Sequence, residues 1–316
     1  MGHRFESCPD HKLKAPARGH SGMFSKLLSY ILYFIAWLIS LLPFRLLYVK
    51  STILSYFLKN IVGYRKAVIV QNLSRAFPDA KYKEIELLTK KFYLHFTDVF
   101  IETLKGVSIS RRALLSRLKI ENPEVLIDLH SKGYNVIGLM GHMANWEWIS
   151  LLPSRFSFPV YTLYKPLRSK IAGNIINRIR CRFGMNLLSM KAAPRYILDP
   201  AHKNSFYVFI ADQSPARVEN AHEFTFLNQR TTFFTGGAKL AIATKSALLF
   251  ISLRKVERGY YSLRFIPIDY ESGLSENTDK RQLEQRILNE YARLLETEIK
   301  ENPTDWLWSH KRWKHP

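Results

Sequence analysis

With 316 residues, 47% of them hydrophobic and 13% aromatic, the chain has enough apolar side chains for a full core, which excludes a disordered basic tail protein. A surface with a formal charge of +21 expects an anionic partner: nucleic acid, anionic lipid, a phosphorylated substrate or an acidic carrier protein. Two cysteines, Cys8 and Cys181, supply neither a disulfide framework nor a paired-thiol metal site, and suit a reducing compartment.

Residues 1–22 are polar, rich in His, Pro and Gly, and free of periodicity, as in a disordered leader. His3, His11, His20 and Cys8 match no ligand spacing, so no metal is expected there. Leu27 to Phe44 then runs for 18 residues without a charge, between Lys26 and Arg45. As one helix this run spans about 27 Å, close to the roughly 30 Å hydrocarbon core of a bilayer. No small-residue cleavage site follows, and the pattern predicts an uncleaved transmembrane anchor over 23–45, ahead of one domain over 46–316. Arg45, Lys50, Lys59, Arg65, Lys66 and Arg75 all precede the next acidic residue, Asp79, which places that domain on the cytoplasmic side. The run 46–58 is amphipathic and fits equally a membrane surface or core packing.

Residues 81–118 read as two helices, on the first of which His95 and Asp98 are given a structural role. A helix near Pro123 to Lys132 leads to the most chemically specific stretch, Tyr134 to Trp148, YNVIGLMGHMANWEW. An apolar strand ends at Gly141, which lets the chain turn; His142 follows, and Asn145 is positioned to cap a helix carrying Glu147. Five residues apart on one helix, His142 and Glu147 would be displaced by about 140° around the axis. They meet only if His142 lies on the turn and Glu147 in the first helical turn. A carboxylate on one imidazole nitrogen fixes the tautomer and raises the basicity of the other, giving a general base worth roughly 100- to 10,000-fold in rate. A buried backbone-bonded histidine with Glu147 on a solvated face fits the same short pattern, so the rest of the chain must decide.

A strand over Val160 to Leu163 ends in a basic loop holding Arg168, whose planar guanidinium can grip phosphate or carboxylate. The helix Ser169 to Phe183 adds Arg178, Arg180 and Arg182 before Gly184, either as ligands or as a solvated face. Asp212 and Gln213 stand just past the strand within 205–215, where polar groups can face a cleft. A small-residue helix follows, in which Gly236 and Gly237 permit close backbone approach. Next come strands at 248–255 and 260–268 and an amphipathic helix from Asp279 to Lys300. The closing DWLWSHKRWKHP sets three Trp among cations, as at a lipid headgroup interface. There is no phosphate-cradling loop and no His-Glu-x-x-His, so no cofactor is expected. The charge is accompanied by no nucleic-acid-binding signature.

The charge-free helix, GHMANWEW, YKPLRSK, the basic helix closed by Gly, ADQ, FFTGGAKLAIAT and W-x-H-x-R-W-K lie in that order over residues 24–316. Together they resemble the late (secondary) acyltransferases of lipid A biosynthesis, lauroyl/myristoyl type, of the lysophospholipid acyltransferase superfamily. The resemblance implies an α/β fold, a mixed β-sheet surrounded by helices with one N-terminal transmembrane helix. It implies an enzyme of the bacterial inner membrane that moves a fatty acyl chain from acyl carrier protein to a hydroxyl of a lipid A precursor, without a cofactor or acyl-enzyme. On the matching positions His142 becomes the general base and Glu147 its orienting carboxylate, a Glu where much of the superfamily has Asp. Arg168 becomes a ligand for substrate phosphate or developing charge, Asp212 and Gln213 supporting groups, and Asn145 a further substrate-binding candidate. A lysophospholipid or aminoacyl-lipid acyltransferase using acyl carrier protein or acyl-CoA would share the same chemistry.

Overall fold

The computed structural model describes residues 20–167, 169–215, 222–270 and 279–314. Most of the expected leader, and Arg168, therefore lie outside the described residues.

Helix α1 (His20–Leu41) and helix α2 (Phe44–Phe57) are separated at Leu42 and Pro43. Proline has no N–H to continue a helix and disfavours helical backbone in the residue before it. The chain turns there by 115° between Leu28–Leu41 and Phe44–Val62. Among the described residues no single helix is long and apolar enough to cross a membrane, although this bent pair passes that test by length and composition. The expectation of one straight span over 23–45 is corrected accordingly: α1 stops short of the bend, and Ala36 and Ser40 on it are buried.

After α3 (Lys66–Ala76) comes α4 (Tyr82–Lys105), whose Asp98 accepts from Ser51 Oγ (2.6 Å) and takes both Arg258 Nε (2.8 Å) and Nη2 (2.6 Å). Asp98 thus docks α2, and the inner face of 46–58 is packing while Leu46, Val49, Ile53, Tyr56 and Phe57 stay exposed. The chain continues through α5 (Arg111–Leu115), β1 (Leu118–Ile120), α6 (Pro123–Ser131), β2 (Val136–Met140), β3 (Val160–Tyr164), α7 (Lys170–Cys181), β4 (Asn186–Ser189), α8 (Ala193–Leu198) and β5 (Phe206–Ile210). An antiparallel ribbon, β6 (Glu223–Phe226) and β7 (Gln229–Thr232), precedes α9 (Gly236–Thr244), β8 (Ala247–Glu257), β9 (Tyr260–Pro267) and α10 (Lys280–Glu301).

Seven strands form one sheet in the order β1-β9-β8-β2-β5-β3-β4. Every neighbouring pair is parallel except β8 with β9, so the fold is α/β with a mixed sheet between helices. Strands covered on both faces read as unbroken apolar runs, and their side chains still alternate. On β5, Tyr207 and Phe209 enter a core shared with α9, α10 and the C-terminal tryptophans, while Phe206 and Val208 enter the opposite core with Leu126, Trp148 and Leu151. The close approach foreseen at Gly237 is to the sheet: a Cβ there would lie 2.7 Å from Leu139.

Candidate active site

β2 and β5 are parallel neighbours in a register that sets Met140 opposite Ile210. Each strand ends on that pair, so two residues later His142 and Asp212 emerge side by side at the carboxyl edge of the sheet, where open α/β sheets hold their ligands. The His142 Nδ1–H donates to Asp212 Oδ1 at 2.5 Å, and the His142 main-chain N–H donates to Oδ2 at 2.8 Å. A third donor, the Trp306 indole N–H, reaches Oδ2 at 2.7 Å. Burial of Asp212 works against its charge, but the adjacent His142 imidazole and the bonds from His142 and Trp306 outweigh it and hold the carboxyl below its ordinary range. With Oδ1 taking the Nδ1 proton, Nε2 keeps its lone pair. The Gln213 side-chain nitrogen lies 3.4 Å from that Nε2, and Trp146 packs edge-on against the ring at 5.1 Å.

Glu147 stands elsewhere than the pattern led one to expect. The segment after Asn145 is a 3-10 helix, Trp146–Ser154, and both Glu147 oxygens are taken by Arg180, from Nε (2.8 Å) and Nη2 (2.6 Å). The carboxylate on His142 is therefore Asp212, and Glu147 holds a basic residue of α7. The pair lines a narrow crevice together with Trp146, Ile149, Leu163 and Ile210. A larger, open hollow lies near Tyr134, Ala247 and Pro267 at the opposite edge of the sheet, remote from His142. The other two arginines are also engaged: Arg178 lies over the ring of Tyr33 at 5.1 Å, and Arg182 donates to the carbonyls of Gly106 and Ile109.

This arrangement makes Arg180→Ala a diagnostic change. If Glu147 acts by fixing Arg180, R180A reproduces the loss of turnover in E147A, and the double variant is no worse than either alone. Each single change is expected to cost about 2 kcal/mol of stability, below the buried-pair range because both side chains keep some solvent. Urea unfolding and turnover rates of the three variants check this; wild-type turnover in R180A would show that Glu147 does not act through Arg180.

Asn145 is fully buried, its amide donating to Glu102 Oε2 at 2.6 Å instead of capping the following helix. Glu102 also accepts from Tyr48 Oη (2.9 Å) and Tyr261 Oη (2.7 Å). Burial raises its carboxyl to about 7, the three donors offsetting only part of that cost. Its folded value exceeds its ordinary one, so its contribution to stability is complete below pH 4.5 and is lost as pH rises through 7. Relative to the Glu102→Gln variant, the wild type is expected to lose about 3 kcal/mol between those limits, at about 1.4 kcal/mol per pH unit. Denaturant titrations of both proteins at pH 5 and pH 8 would detect it.

The loop carrying His142 is strained and clamped. Ala144 has φ +49°, a left-handed conformation costly for a residue with a Cβ. Its N–H donates to Asp305 O (2.9 Å), and its carbonyl accepts from His95 Nε2–H (3.2 Å). Burial lowers the His95 imidazole to about 4 and keeps it neutral, with Lys255 bonded to Asp305 at 2.7 Å beside it. Gly141 is needed for contact and not for a turn: a Cβ there would lie 2.6 Å from Leu295. Trp306 and Trp308 are 2% and 0% exposed, which corrects the expectation of a lipid-facing C-terminal cluster. Trp306, Asp305 and His95 carried no recognisable spacing; the polar pair after the strand at 205–215 was the available signal for Asp212.

The chain matches, over residues 17–315, the family described as bacterial lipid A biosynthesis acyltransferase. No curated protein matches it. Among solved structures it is similar to the 1-acyl-sn-glycerophosphate (LPA) acyltransferase PlsC from Thermotoga maritima, at 14% identity and a TM-score of 0.36, covering 83% of this chain and 99% of that one.

Proposed function

The chain belongs to the bacterial lipid A biosynthesis acyltransferases, and from that premise we propose that it moves a fatty acyl chain from the thioester of acyl carrier protein to a hydroxyl of a lipid A precursor. The observation that carries the mechanism is the His142–Asp212 bond at the carboxyl edge of the sheet, with Nε2 facing outward beside Gln213. The acceptor hydroxyl takes the place of the Gln213 amide at Nε2 and gives up its proton as its oxygen attacks the thioester carbonyl. The tetrahedral adduct collapses by breaking the C–S bond. The imidazolium, stabilised by Asp212, then returns the proton to the departing thiolate. Arg180, fixed by Glu147 at the crevice, is a cation for substrate phosphate or carbonyl charge; Arg168, which the sequence pattern nominates, lies outside the described residues.

Attachment to the bacterial inner membrane, with the catalytic domain cytoplasmic, is supported by the apolar outer surface of the bent pair. Tyr30, Ile31, Phe34, Ile35 and Leu38 on α1 are exposed, as are Val49, Ile53 and Tyr56 on α2, and cations follow them in sequence.

The test offers labelled acyl carrier protein to membranes containing the protein, with a tetra-acylated lipid A precursor and, separately, lysophospholipids. Transfer to the glycolipid supports the proposal. Transfer confined to lysophospholipid would replace the acceptor, and transfer from acyl-CoA alone would replace the donor.

A further inference from the structure

The segment Asp305 to Arg312 touches both loops of the site. Besides the bond from Ala144 to Asp305, Met143 and Trp306 form an antiparallel bridge, and the Ser214 N–H lies 3.4 Å from His310 Nε2. Trp306 is wedged edge-on against Trp308 (4.7 Å), Trp313 (5.9 Å) and Phe226 (6.0 Å). An indole packed in this way cannot swing off its hydrogen bond without disturbing three other rings.

We propose that Trp306 is a positioning residue for acyl transfer, its indole N–H fixing the Asp212 carboxylate so that Oδ1 alone is presented to His142. This rests on the His142–Asp212 reading above. Oδ2 accepts two N–H groups, from Trp306 and the His142 main chain, and is thereby occupied; Oδ1 is left for Nδ1. Without the indole donor the carboxylate is freer to rotate. Its charge is also less dispersed, so it attracts a proton on the imidazole more strongly. Among the described residues, the other titratable groups that face Asp212 are His310 and Arg312 from the same segment and Tyr291 from α10. Burial takes His310 to about 4, lowers Arg312 to about 10 and raises the Tyr291 hydroxyl. From about pH 5 to about pH 9 none of these three changes charge; Glu102, bonded to Asn145 of the same loop, titrates at about 7 in every variant, so a limb that moves in W306F and not in W308F reports the His142–Asp212 couple.

The experiment compares wild type, W306F, W308F and H142A as full chains in membranes, measuring kcat and KM for acyl transfer against pH. W306F is expected to lose about ten- to a hundredfold in kcat, the scale of a hydrogen bond to a charged group, with KM nearly unchanged and the acid limb moved to higher pH. Trp308 is the internal control, equally buried but donating to Pro303 O at 2.6 Å, so W308F costs stability and leaves the pH profile in place. If W306F does not fold, benzothienylalanine at 306 keeps the ring shape and removes only the donor. A wild-type kcat and profile in the folded 306 variant, or the same limb shift in W308F, overturns the assignment. Retained turnover in H142A would remove the underlying dyad instead, so the two failures are distinct.

Discussion

Asp212→Asn is expected to reduce turnover by about 10,000-fold, the scale seen when an amide replaces the carboxylate of a His–Asp pair. Three N–H groups converge on this side chain, and asparagine offers one oxygen and one NH2 in their place. If the oxygen stays with Trp306 and the His142 main chain, the NH2 meets Nδ1–H. Two donors then face each other, and the imidazole escapes by moving its proton to Nε2. That is the nitrogen that must accept from the substrate. The variant should bind substrate with nearly normal KM while kcat collapses, and a loss smaller than tenfold would show that Asp212 is not the orienting group.

His142→Ala is expected to lose about 100- to 10,000-fold in transfer, the contribution of a positioned general base. Its stability penalty is modest, about 1–3 kcal/mol, arising because the Asp212 carboxylate loses one of its donors while staying buried. Fractionation with membranes should be unchanged, since α1 and α2 do not depend on this side chain. Combining H142A with D212N should add almost nothing, because residues acting as one unit are strongly non-additive. A double variant far slower than either single one would mean that Asp212 works independently of His142.

Much of this architecture was open to reading from the residues. Unbroken apolar runs flanked by polar turns located β2, β3, β5 and β8, and helical periodicity located α4 and α10. The short β1, β4, β6 and β7 strands have three or four residues each, too few to show a period. His142 and Asp212 were each visible as polar groups past a strand end. Their union was not, because it depends on β2 and β5 being neighbours in one register, a long-range fact that local spacing does not encode. Glu147 was misdirected for the complementary reason: proximity in sequence favoured His142, and the competing partner, Arg180, lies 33 residues away on α7. The tryptophans of the C-terminal segment misled through composition, since aromatic residues among cations also describe a core segment whose charged neighbours bond inward.

The Glu102 carboxylate joins Tyr48 of α2 to Asn145, three residues past His142, through two hydrogen bonds. These two bonds tie α2, whose outer face is apolar and exposed, to the loop that carries His142. Whatever surface that face rests on, the height of His142 above it is a fixed dimension of the protein, as a ruler's mark is fixed to its edge. If that surface is a bilayer, as proposed above, the acceptor hydroxyl is expected to be offered to His142 at one depth, and a lipid whose hydroxyl lies deeper or shallower is expected to react more slowly.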